Sequence, residues 1–61
     1  MNPTRATRRR VARLLRTRGA HSVTETARAT GLLPKTARRV LAHLMRYGRV
    51  TVSGGRFVVR S

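Results

Sequence analysis

Glycine punctuates this chain at Gly19, Gly31, Gly48 and the pair Gly54-Gly55, and the stretches between these points carry different periodicities. The first three repeat apolar residues at helical spacing. The last two alternate them, so the order read from the sequence is helix, helix, helix, hairpin. A single glycine suits the left-handed residue that closes a helix. Two in succession suit the two-residue turn of a hairpin, where both central positions take positive φ.

Pro3 fits a first helical position with Asn2 as its cap, Thr4 being the alternative cap. Thr7, Val11, Leu14, Leu15 and Arg18 then recur on one side, with Arg9, Arg13 and Arg16 turned away. That narrow stripe predicts a helix packed on one side and open to solvent or phosphate on the other. His21-Ser22-Val23 is expected to add an edge strand to the hairpin. Thr24 reads as the cap of the second helix, with Glu25 in its first turn matching the positive end of the helix dipole. This helix runs through Thr26-Ala27-Arg28-Ala29-Thr30, whose small residues allow close approach to a neighbour. The third helix spans Pro34 to Tyr47, with Ala37, Val40, Leu41, Leu44 and Met45 facing inward and Lys35, Thr36, Arg38, Arg39, His43 and Arg46 on the remaining surface.

In the hairpin, the Gly54-Gly55 turn pairs Ser53 with Arg56, Val52 with Phe57, Thr51 with Val58 and Val50 with Val59. Val50, Val52, Phe57 and Val59 then share the face expected to meet the helices. The same register sets Arg49 opposite Arg60, a like-charge pair that costs stability unless a polyanion lies nearby.

Sixty-one residues make one small domain, covering residues 1–61, and a chain this short buries only about 60% of its unfolded surface. With no cysteine and no Cys/His cluster for zinc, helix and sheet packing must supply the stability. Fifteen Lys and Arg residues face a single acid, Glu25, for a net charge of +14. A solvated charged face normally mixes signs; this one does not, which points to a polyanionic partner. Every cation except Lys35 is arginine, the residue suited to bidentate contact with phosphate or a guanine edge. A GC-rich genome or a hot habitat also favours arginine over lysine, but neither accounts for the missing acids.

The same composition argues against other classes. No stretch approaches the length of apolar residues that spans a membrane, and the segment after Arg8-Arg9-Arg10 is too interrupted for a signal peptide. The first 18 residues have the basic, acid-free look of an organelle transit peptide, yet the fold needs that same helix to close. His21 and His43 lack carboxylates to orient them, and there is no P-loop, dinucleotide glycine pattern or carboxylate cluster for magnesium. A non-enzyme without cofactor, metal or small-molecule ligand is expected.

From Ser22 onward, the segments Ser22-Val23-Thr24-Glu25-Thr26-Ala27-Arg28-Ala29-Thr30-Gly31-Leu32, Lys35-Thr36-Ala37-Arg38-Arg39-Val40-Leu41-Ala42-His43-Leu44 and Gly48-Arg49-Val50 leading to Ser53-Gly54-Gly55-Arg56-Phe57 follow one another. Together they resemble the winged helix-turn-helix domains of IclR, MarR and ArsR-type bacterial and archaeal regulators. The resemblance implies an α+β fold: a three-helix bundle containing the helix-turn-helix, with a C-terminal two-stranded β-hairpin as the wing. It further implies that Lys35, Thr36, Arg38, Arg39 and His43 enter the major groove of DNA and that Arg56 touches flanking backbone or minor groove. Thr26 departs from the leucine usual at its position, and no ligand-sensing or dimerising segment is expected after the wing.

These readings converge on double-stranded DNA as the partner, with Lys35, Thr36, Arg38, Arg39, His43, Arg46, Arg56, Arg9 and Arg13 as contacts. So much sequence-blind attraction predicts weak selectivity: a small architectural protein of chromatin or the nucleoid that influences transcription, monomeric or weakly dimeric, in the cytoplasm of a prokaryote or encoded by a virus. A site-specific repressor is the first alternative. An RNA-binding or ribosome-associated protein is another, set back because Tyr47 and Phe57 are the only aromatic residues besides histidine and Phe57 is expected in the core. A protein-contact module within a transcription assembly is a third.

Overall fold

Thr4 starts the first helix, its hydroxyl accepting the Thr7 N–H at 3.1 Å. The computed structural model describes residues 4–60, so the alternative start at Asn2 and Pro3 lies outside the described residues. Helix α1 (Arg5–Arg18) is followed by α2 (Val23–Thr30), α3 (Pro34–Arg46) and the strands β1 (Val50–Ser53) and β2 (Arg56–Val59). Three helices followed by an antiparallel hairpin form the α+β layout of a winged helix.

The second helix begins two residues earlier than its expected cap allows. Ser22, not Thr24, is the cap: its hydroxyl accepts the Glu25 N–H at 3.1 Å while the Glu25 carboxylate accepts the Ser22 N–H at 2.9 Å. This is the reciprocal Ser-x-x-Glu capping box. With Ser22 committed to capping and Val23 in the helix, the edge strand expected at His21-Ser22-Val23 shrinks to a single bridge. There His21 and Phe57 exchange backbone bonds of 3.0 and 2.8 Å. Gly31 closes α2 in a left-handed conformation, and Arg10 reaches from α1 to donate to the Thr30 carbonyl at 2.9 Å. One of the carbonyls left unpaired at a helix end is thereby satisfied.

Pro34 occupies the first turn of α3, where a missing N–H costs nothing. The helix closes on Gly48, φ 72°, whose N–H bonds to the Met45 carbonyl at 3.0 Å while the Arg49 N–H bonds to that of Leu44 at 2.9 Å. That pair of bonds is the Schellman closure, and it needs the left-handed residue glycine supplies. The chain then turns directly into β1.

Val11, Leu15, Val40, Leu41, Leu44 and Val50 form the buried cluster, with Ala12, Val23, Leu32, Phe57 and Val59 packed against it. Along α1 only Val11 and Leu15 are buried; Thr7 and Leu14 are half-buried and Arg18 is exposed. Two expected core residues are not in the core. Met45 is 40% exposed, because at 100° per residue it falls about 90° from the middle of the arc formed by Ala37, Val40, Leu41 and Leu44. Val52 is 45% exposed; burial on β1 is complete only at Val50, and Val52 lies on the edge strand while its partner Phe57 on β2 packs against the core and is flanked by the His21 bridge.

The strand register is the one the glycine pair dictates, from Val50 with Val59 to Ser53 with Arg56. A further bond from the Arg60 N–H to the Arg49 carbonyl, 3.0 Å, sets those two arginines opposite each other. Thr26 is fully buried between the helices, and its hydroxyl has no hydrogen-bond partner among the described residues.

Candidate nucleic-acid interface

The inward arc of α3 takes Ala37, Val40, Leu41 and Leu44, so helical geometry decides what faces out. Lys35, Arg39, Ala42 and Arg46 follow at intervals of about one turn along the middle of the outer face. Arg38 flanks that row beside Met45, and Thr36 and His43 flank it on the other edge, where both are half-buried. Lys35, Arg38, Arg39 and Arg46 are exposed, and none has a side-chain hydrogen bond or ion pair among the described residues. The outer side of α3 is thus an exposed helix face whose cations have no side-chain partner among the described residues.

A second cationic surface is concave. The arginines at 5, 8, 9, 13 and 16 repeat at helical spacing down one side of α1. With Arg49, His43 and Tyr47 they line an open groove of ≈ 980 Å³ against the C-terminal end of α3. Tyr47 is 66% exposed. Its ring centroid lies 4.7 Å from that of His43, with the planes inclined at 43°.

Arg56 occupies a third place. Its guanidinium donates to the Ala20 carbonyl at 3.2 Å and pairs with Glu25 at 3.4 Å, joining β2 to the start of α2. The Ser22 backbone N–H holds the Glu25 carboxyl below its ordinary value of 4.5. That bond outweighs the upward push of desolvation, and the charge of Arg56 adds to the lowering. The lone acid of the chain is thus already engaged by a helix cap and one arginine.

The nine residues expected at one interface therefore divide. Lys35, Thr36, Arg38, Arg39 and Arg46 share the α3 face; Arg9, Arg13 and His43 belong to the groove; Arg56 stands beside the turn of the wing. In the groove, Arg5, Arg8 and Tyr47 lie outside the contacts expected from the sequence, Arg49 was expected near a polyanion only as the neighbour of Arg60, and Arg10 is an unexpected tie to α2. The α1 row was detectable from its spacing. The role of Arg10 was not, since its acceptor is a backbone carbonyl twenty residues away. Among the described residues no group of His, Cys, Asp or Glu is placed to hold a metal ion, and no helix is long and apolar enough to cross a membrane. No family model, curated protein or solved structure matches the chain.

Proposed function

We propose that this protein binds double-stranded DNA by laying the outer face of α3 in the major groove. One observation carries the reading: Lys35, Arg38, Arg39 and Arg46 stand exposed and unpartnered, among the described residues, on the outer side of a single helix. The chain around them has a net charge of +14. Phosphate oxygens supply the acceptors these side chains lack, and Arg38 or Arg39 offers the fork that matches a guanine O6/N7 edge. The helix–helix–helix–hairpin layout and the resemblance to IclR, MarR and ArsR-type domains support the same placement.

Arg56 has two of its five N–H donors engaged internally and meets flanking backbone with the others. Phosphate contact of this density binds well and discriminates poorly. The role is that of a small nucleoid-associated architectural protein, cytoplasmic and without enzymatic activity, that influences transcription through the DNA it coats.

Duplex binding measured across salt concentrations tests this. With six to ten phosphates neutralised, the log–log slope is on the order of -5 to -9. The double variant Arg38→Ala, Arg39→Ala weakens binding by roughly 2 to 4 kcal/mol while its melting temperature stays within a few degrees of the parent. Unchanged affinity removes the recognition-helix assignment. A large affinity gap between a pool-selected and a random duplex replaces the architectural role with that of a site-specific regulator.

A further inference from the structure

The groove between α1 and the end of α3 has a different shape and chemistry from the α3 row. The α3 row is convex, the shape a duplex groove receives, whereas this surface is an open groove of ≈ 980 Å³. A cationic groove of this kind suits a single strand. Its walls carry Arg9 and Arg13 on one side and Arg49 on the other, none with a side-chain hydrogen bond or ion pair among the described residues. Beside them stands an aromatic pair, Tyr47 66% exposed and its ring 4.7 Å from that of His43. A cationic groove that tracks phosphates, with an exposed ring on which a base can stack, is the combination that holds unpaired nucleic acid irrespective of sequence.

We propose that this groove binds an unpaired polynucleotide strand, its phosphates along Arg9, Arg13 and Arg49 and a base stacked on Tyr47. The Gly48 closure contributes by ending α3 where the Tyr47 side chain remains uncovered. The site goes beyond duplex binding and stands on residues outside the α3 row, so either surface can fail without the other.

Tyr47 is the only tyrosine and the chain has no tryptophan, so intrinsic tyrosine emission reports on this one ring. Titrating the full chain with short oligodeoxythymidylate and oligouridylate quenches that emission with at least one of them, and the ratio of the two affinities assigns the strand as DNA or RNA. A short duplex and inorganic polyphosphate, at concentrations that saturate binding, leave the emission near its free value. Tyr47→Ala weakens binding of a labelled single strand by roughly 5- to 150-fold, the range expected for one base–aromatic stack, and leaves duplex affinity unchanged; Tyr47→Phe retains single-strand binding. Arg38→Ala with Arg39→Ala gives the converse pattern. The proposal is overturned if neither oligonucleotide quenches, if polyphosphate or duplex quenches equally, or if Tyr47→Ala lowers single-strand and duplex affinity alike.

Discussion

Thr26→Val should make this protein more stable, an uncommon direction for a core substitution. Thr26 is 0% exposed, and its hydroxyl is buried without a partner among the described residues. Its backbone is already satisfied: the N–H bonds to the Ser22 carbonyl at 2.9 Å, and its own carbonyl accepts the Thr30 hydroxyl at 2.7 Å. A hydroxyl desolvated with no compensating bond costs about 1–3 kcal/mol. Valine puts a methyl group in nearly the same volume, and valine and threonine differ little in helix propensity. The net gain is therefore roughly 1–2 kcal/mol, and in a domain of this size each kcal/mol moves the melting temperature by about 4–8 °C.

Thermal and urea unfolding followed by far-UV circular dichroism measure the change. Thr30→Val is the internal control, because the Thr30 hydroxyl does have an acceptor; it should lose about 0.5–1.5 kcal/mol. If Thr26→Val is neutral or destabilising, or if both variants move the same way, the Thr26 hydroxyl is not the orphan described and the argument fails.

Glu25 is the only acidic side chain, so the acid dependence of stability has one carboxylate side chain behind it. Its folded pKa is lowered, so the stabilisation is fully present above the ordinary value of 4.5 and is lost as pH falls through the lower folded value. Melting temperature should drop on acidification through that range, and Glu25→Gln, which preserves the capping geometry, should flatten the drop; an unaltered profile refutes the assignment. Leu41→Ala, at a fully buried position, should cost roughly 2–5 kcal/mol in urea unfolding, and a midpoint that does not move contradicts the packing of α3. Arg10→Met removes the bond to the Thr30 carbonyl and should cost about 1 kcal/mol, visible as faster amide exchange in the last turn of α2. Arg56→Ala should make the salt slope of duplex binding shallower by about one, and an identical slope excludes a phosphate contact at the wing.

The element order was readable because glycine placement and local periodicity are properties of neighbouring residues, and so was the hairpin register, which the turn alone sets. At the start of α2 two hydroxyls compete for the cap, and Ser22 wins over Thr24 because only Ser22 has Glu25 three residues later to return its bond. Met45 and Val52 look apolar and in phase, but their burial depends on how far the neighbouring elements extend. The outer row of α3 follows from its own heptad-like spacing. The groove does not, because it arises from the way α1 leans on α3, and the exposure of Tyr47 and its approach to His43 are products of that packing.

The contacts of Arg56 with Ala20 and Glu25 anchor the ribbon beside its Gly54-Gly55 turn, while the Gly48 closure holds it at its base. A cationic side chain normally surrenders rotational freedom when it grips a ligand; this one has surrendered much of it on folding, so its remaining donors are pre-oriented for any anion arriving beside β2. The ribbon is accordingly tied to the helical body near both of its ends.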